Sequence, residues 1–472
     1  MKRKIIAIIL TLSLMMVFVP FVGCGNSSNI EGVRFSSVAA GTHSWGHSLA
    51  IDTEGNLWEW RNVVYRGSGC ASVRYSTGFS NILSGEDFRG GDISVGGNHS
   101  LAIDRDGNLF AWGNNAYGQV GDRTLRNRAN PVRIIEGTQF SSVSAGLHFS
   151  LAIDRGGNIW TWGRNSNGQL GIGSGSGVVS RQTIPIRLAV PNVTFIAVSA
   201  GGTHSLALDS TGGLWGWGNN FNGQAGTGAE YLNYLMPSEL LTSSRNRDDI
   251  NAPQRIKEGT EFIDIGTGST HSAALDSDGN VWAWGTNSGA QLGVQDYWAE
   301  PSCNWYPCRC EQEMECPIVC GCADNCCDEA GECGEECVIR CSCNPSNTRN
   351  VPDFTRNRYA PKRVRIAVGE EEVRIVSIGA GHQHTMAIDN NGNLWAWGQN
   401  GSGRLGNGQF ETSAVPVMSA FAQGTIVNTF SAGYSHNLAI DNLGHLFMWG
   451  SNPGGTIGGG VSAPNITPYR LT

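Results

Sequence analysis

Two sets of side chains in this sequence are of the types that do chemistry. The first is the hexapeptide His-Ser-Leu-Ala-Ile-Asp at 99–104, which sets an imidazole, a hydroxyl and a carboxylate close together. Those are the groups of a nucleophilic hydrolase triad. The second is the stretch "CNWYPCRCEQEMECPIVCGCADNCCDEAGECGEECVIRCSC", residues 303–343, which holds twelve of the chain's 14 cysteines. Thiols at that density cross-link, either as disulfides or around a metal.

The hexapeptide does not read as a catalyst. Neighbouring side chains of an extended segment face opposite ways, so His99 and Ser100 do not meet on one face. A triad is defined by converging geometry, not by closeness in sequence. The stretch also recurs, and one active site does not need many copies of itself. His47, His99, His204, His271, His384 and His436 each open a copy, and His148 is displaced by one residue. These histidines are expected to brace neighbouring units by hydrogen bonds, and nothing in the pattern calls for a cofactor.

Each copy has the physics of a hairpin. In residues 99–113, Leu101 and Ile103 point one way and Ser100 and Ala102 the other. "DRDGN" is turn chemistry: Asp104 and Asn108 bond the local backbone, and Gly107 accepts a positive φ. "LFAWG" follows as a second strand ending in Trp112 and Gly113, with Phe110 and Trp112 on one face. The pairs Trp160/Trp162, Trp215/Trp217, Trp282/Trp284 and Trp395/Trp397 repeat that stripe and read as core. The turn glycines are Gly55, Gly107, Gly157, Gly212, Gly279, Gly392 and Gly444, so there are seven copies. Most steps are near 50 residues; the exceptions are 67, from Gly212 to Gly279, and 113, from Gly279 to Gly392. A lone hairpin cannot bury such a face, so the copies must stack on one another as a propeller or solenoid. Glycine, 65 of 472 residues, is about twice its usual share, which suits short strands and turns.

The repeated pattern AGxxHSLAIDxxGNxWxWGxNxxGQLG, clean at 145–171, resembles the repeat of the regulator of chromosome condensation family. The resemblance covers nearly all of 33–472 outside the inserts, and it implies an all-β, seven-bladed β-propeller. The ends carry a separate signal. "EGVRFSSVAAG" at 31–41 and "TPYRLT" at 467–472, joined, rebuild the inter-copy linker "NPVRIIEGTQFSSVSAG" of 130–146. Pairing of the N- and C-terminal segments within one shared blade is therefore expected to close the ring and remove open sheet edges.

Function is sought where copies depart from the repeat. After Trp60 the first copy reads "RNVVYRGSGCASVRY", without the usual loop, and offers Arg61, Tyr65, Arg66, Arg74 and Tyr75 as contacts; drift is the plainer reading. Two long inserts, 227–252 and 294–355, occupy the same loop of consecutive copies, so they should rise side by side from one face. The shorter carries Tyr231, Tyr234, Leu235 and Met236, fit for a short amphipathic helix that packs on the ring or meets a partner. The longer carries the thiols Cys303, Cys308, Cys310, Cys316, Cys320, Cys322, Cys326, Cys327, Cys333, Cys337, Cys341 and Cys343, with Trp298, Trp305 and Tyr306 near its start. Nine carboxylates against two arginines make 303–343 acidic and leave the rest of the chain close to neutral. So polar a segment needs cross-links to hold a shape. An even cysteine count in an exported chain favours six disulfides. A metal–thiolate cluster is the rival, although no two of these cysteines stand three apart and no histidine lies among them. Cys70 is left over.

Lys2, Arg3 and Lys4, the apolar run 5–19 and Pro20 read as an export signal. Phe21-Val22-Gly23-Cys24, followed by polar residues, resembles the lipobox of bacterial lipoproteins, with Phe21 where leucine is usual. That resemblance implies a signal peptide over 1–23, a lipid on Cys24, a linker over 24–32 and the propeller over 33–472, held outside the cytoplasm at the membrane. A plain cleaved signal is the alternative. The net charge of −8, with no long basic run, argues against nucleic acid as a partner. Three functions are weighed. The first is a non-catalytic, surface-anchored, monomeric scaffold that binds an unknown protein or envelope ligand through the insert-bearing face. The second is glycan or cell-wall binding through Trp298, Trp305 and Tyr306. The third, implied only by the family's founding nuclear member, is nucleotide exchange on a small GTPase, which an exported chain would not meet. Light sensing, known for a plant relative, would need clustered exposed tryptophans.

Overall fold

Each hairpin of the sequence becomes the middle of a four-stranded antiparallel sheet, and seven such sheets form a β-propeller. The computed structural model describes residues 30–41, 47–61, 80–83, 85–173, 179–227, 249–294, 297–301, 348–352, 357–451 and 464–471. Every element among them is a strand. The third blade is typical: Phe140–Ala145, Phe149–Asp154, Ile159–Arg164 and Arg181–Arg187 pair in chain order. The innermost strands of all seven blades line one central channel, which holds a cavity of about 210 Å³.

The packing explains the repeat's composition. The second strand is buried on both faces, not one, because it lies between two neighbouring blades. Leu101 and Ile103 join a hydrophobic cluster with Phe140, Val143, Ala152 and Trp162 of the third blade. Ala102, Phe110 and Trp112 join the cluster facing the first blade. Large aliphatics on one side therefore meet small residues and tryptophan on the other. There are seven such clusters, one at each junction around the ring.

Closure differs in detail from the sequence expectation. Asn465–Arg470 pairs with Leu446–Gly450 of its own seventh blade, and Phe35–Ala40 begins the first. No blade is shared between the termini; every blade is consecutive in sequence. The repeated linker spans the boundary between an outermost strand and the next innermost one, so a break within it leaves whole blades on either side. The seventh-to-first junction is then made by packing: Ile30, Phe35, Val38 and Trp60 cluster with Leu438, Leu446 and Met448, and Val33 and Leu471 pack against them.

Chain direction gives the ring two unlike faces. Connections from first to second strand and from third to fourth leave on one face, the loop face. The tight hairpin turns and inter-blade linkers lie on the other, the turn face, where the described chain enters at Ile30 and leaves at Leu471. The insert of the fourth blade runs from Leu214–Gly218 to Ile250–Ile256, and that of the fifth from Val281–Gly285 to Arg358–Val364. Both are third-to-fourth connections of adjacent blades and leave on the loop face. The longer one begins as a ribbon, Tyr297–Pro301 antiparallel to Thr348–Pro352, with Trp298 opposite Val351.

Candidate functional site

The histidine, serine and aspartate of each repeat are separated by the fold. His99 Nε2 lies 2.8 Å from Ser150 Oγ of the next blade, not near Ser100. The same link joins His204 to Ser272, His271 to Thr385 and His436 to Ser48, at 2.9, 3.1 and 2.9 Å. His384 Nε2 meets Asn437 Oδ1 at 2.7 Å, and His47 meets Ser100. Only the third-to-fourth junction lacks the link, because Phe149 stands in the histidine's place.

The hydroxyl is committed as well. Ser150 and Ser272 donate to the main-chain carbonyls of Gln119 and Gln224, each at 2.8 Å. Trp162 and Trp284 Nε1 donate to those same two oxygens. Each hydroxyl thus gives its proton to a carbonyl and accepts one from histidine, the reverse of what an attacking serine requires. Burial holds the His99, His204 and His271 rings neutral, with pKa values lowered to about 3. A general base near neutral pH needs a much higher value.

The aspartates organise turns. Asp104 Oδ1 accepts from the N–H groups of Asp106 and Asn108. Asp154, Asp209, Asp276 and Asp389 also accept from the Nε1 of Trp160, Trp215, Trp282 and Trp395, at 2.8 to 3.0 Å. Burial raises these carboxyls, and the tryptophan, main-chain and side-chain donors outweigh it, so the net shift is downward. Gly107 and Gly113 take φ of +90° and +105°, as the hairpin turn and the strand end require. Gly113 also has no room for a Cβ, which would stand 2.5 Å from the Asn98 carbonyl.

The first blade lacks the loop whose carbonyl serves Trp162 and Trp284 elsewhere. There the buried Glu59 extends its carboxylate instead, and Trp112 Nε1 donates to Glu59 Oε1 at 3.2 Å. Sequence reading missed this exchange. Its signal was a glutamate between two tryptophans in "LWEWR", where other copies have Ala, Gly, Thr or Met.

What remains open for binding is the loop face. The first-to-second connections form a belt around the channel mouth: Gly97 N–H donates to Gly146 O, His382 to Gly433 O and Tyr434 to Gly41 O, at 3.1, 3.1 and 2.9 Å. On the belt lies a cup of about 250 Å³ lined by Leu147, Gly202, Ser269, His382 and Tyr434 among others. The His382 and Tyr434 rings stack with centroids 4.0 Å apart. Under this rim Arg404 stands where other blades carry glutamine; it is 6% exposed, bonds Tyr434 O at 3.3 Å and leaves Nε without a partner. The variable positions between "AG" and "H" in each copy are the signal that would have found the cup.

Of the binding candidates taken from sequence, only Trp298 lies in a described strand. Cys24, Tyr231, Tyr234, Trp305, Tyr306, Cys70 and all twelve cysteines of 303–343 lie outside the described residues, as do Tyr65, Arg66, Arg74 and Tyr75. Arg61 ends the third strand of the first blade. No tryptophan whose side chain is described is exposed, so the stripe is core.

Comparison with known proteins agrees with this architecture. The model of the RCC1-like domain matches residues 90–333, and RCC1 repeat models match 375–404 and 391–440. The ultraviolet-B receptor UVR8 of Arabidopsis thaliana is 25% identical over 396 residues, covering 80% of each chain. The probable E3 ubiquitin-protein ligase HERC3 of Homo sapiens is 32% identical over 342 residues, 67% of this chain and 28% of that protein, so the match spans less than a third of its length. The structure of yeast RCC1 (Prp20) bound to Kap60 superposes with a TM-score of 0.59 at 18% identity, covering 85% of this chain and 78% of that one. Repeat, blade count and family model agree, and the chain belongs to the RCC1-like domain family.

Proposed function

We propose that the protein is a non-catalytic scaffold, anchored at the cell surface, that binds a protein partner through its loop face. One observation carries the reading: both long inserts, and the irregular connection of the first blade, join strands at that face. The irregular connection runs from Leu57–Arg61 to Ser80–Asn81. The turn face keeps the repeat's tight hairpins. The histidine, serine and aspartate side chains are consumed in bracing, which removes the hydrolase reading of the hexapeptide. The yeast protein with this fold was crystallised with Kap60 bound to it. Nine carboxylates in 303–343 favour a basic partner and a salt-sensitive association. Surface anchoring rests on the signal and lipobox of residues 1–24.

The test removes the insertion and leaves the ring. Pro301 and Thr348 are cross-strand partners in the ribbon, so an Asn-Gly turn can join them in place of 302–347. Intact and shortened proteins are immobilised and exposed to solubilised envelope and to culture medium. The reading expects one protein retained by the intact chain, released by about 0.5 M salt and lost on shortening. Equal capture by both moves recognition to the cup and the first blade. Retention of polysaccharide instead of protein supports the glycan alternative.

A further inference from the structure

The turn face, opposite the inserts, carries a row of bare aliphatic side chains. Ile196, Ile263 and Val376 are each the second residue of an innermost strand, in three consecutive blades, and are 56%, 49% and 49% exposed. The first, third and seventh blades place Ser36, Ser141 and Asn428 there, so the fold does not require an apolar residue. Val368 of the fifth-to-sixth linker, Ile426 of the sixth-to-seventh linker and Leu443 of the seventh blade's hairpin turn extend the row, at 62%, 45% and 64% exposure. Single exposed aliphatics are ordinary. A row across four adjacent blades marks a contact surface.

The chain enters the ring where this row ends. Phe35 N–H donates to Gly444 O at 2.9 Å, and Gly444 follows Leu443. Ile30 is buried in the same junction. From Cys24 to Ile30 the chain spans at most about 20 Å when fully extended. The six-residue strands of a blade are themselves about 20 Å tall before any loop is added. A lipid on Cys24 therefore reaches a bilayer with the turn face down, and cannot do so with the loop face down.

We propose that the turn face lies against the lipid bilayer, with Ile196, Ile263, Val376, Ile426 and Leu443 at the headgroup level, so that the inserts point away from the membrane. This rests on the anchored reading of the N-terminus. The lipid on Cys24 holds the protein at the membrane, and the row fixes which face of the ring meets the bilayer.

The full-length protein is reconstituted into phosphatidylethanolamine–phosphatidylglycerol vesicles doped with a phosphatidylglycerol bearing a headgroup diazirine. After flotation and illumination, adducts are mapped by mass spectrometry. The proposal expects adducts in peptides holding Ile196, Ile263, Val376 and Leu443, and none at the exposed Phe221 and Phe410 of the loop face. Ile263→Asp with Leu443→Asp should cut adducts at Ile196 and Val376 several-fold while flotation is kept. Adducts confined to the rim residues Ile184, Met418 and Tyr469, to the loop face, or to residues 1–29 overturn the proposal and leave the anchor standing. A chain that neither floats nor takes up a fatty-acid analogue at Cys24 overturns both.

Discussion

At the residue scale the main finding is how buried polar groups are satisfied. Five histidines, His99, His204, His271, His384 and His436, are held neutral by burial, with pKa values well below the ordinary one. Between about pH 6.5 and 3 the unfolded chain binds protons that the folded ring refuses. The stability these groups protect is complete above about pH 6.5 and falls as the pH drops through that window. Burial raises the carboxyls of Asp92 and Asp264, which oppose the trend with fewer groups. Urea midpoints taken from pH 7 to 5 should fall steadily, and the fall should be shallower in His204→Gln; a flat profile removes the argument. Arg404 gives a second expectation. Gln119, Gln169, Gln224 and Gln291 fill the same place and are almost wholly buried. A buried guanidinium with two long hydrogen bonds is costly. Arg404→Gln should raise stability by about 1 kcal/mol in chemical denaturation; a loss of that size would show that Arg404 is part of the fold.

At the element scale, the hairpin is legible in the sequence down to its turn. Asp209 accepts from the N–H groups of Thr211 and Gly213, from the Thr211 hydroxyl and from Trp215. Asp209→Ala leaves several buried donors unpaired and should cost about 2–4 kcal/mol, read as a shift in the denaturation midpoint. Gly218 ends the next strand at φ +97°, and a Cβ there would lie 2.7 Å from His204 Cα and 2.8 Å from Thr203 O. Gly218→Ala should be destabilising by about 2 kcal/mol or more, since both the dihedral and the space are wrong. The sequence did not reveal which residues of one hairpin touch which of the next. Alternation placed Leu101 and Ala102 on opposite sides, but burial of both sides follows only from a blade on each side.

At the scale of the whole molecule, ring closure joins residues far apart in the chain. Ser48 meets His436, and Ala40 N–H donates to Ser431 Oγ at 2.9 Å. The seventh-to-first junction is the one place where no chain link supports the packing. Phe35→Ala should therefore lower the thermal midpoint more than Phe195→Ala, which removes an equivalent buried ring from a covalently linked junction. Equal losses would show that the linkers contribute little.

The repeat, its hairpins, the blade count and the core tryptophan stripe were determined by sequence alone, because each depends on local periodicity and turn chemistry. Tertiary structure alone decided that His99 answers to Ser150, that Glu59 replaces a missing loop carbonyl, that the first and last strands each stay in their own blade, and that the inserts leave the ring on the face opposite the one where Ile30 enters and Leu471 exits. Those facts depend on contacts about fifty residues or more apart or on chain direction around a closed ring, and no short window of sequence carries them.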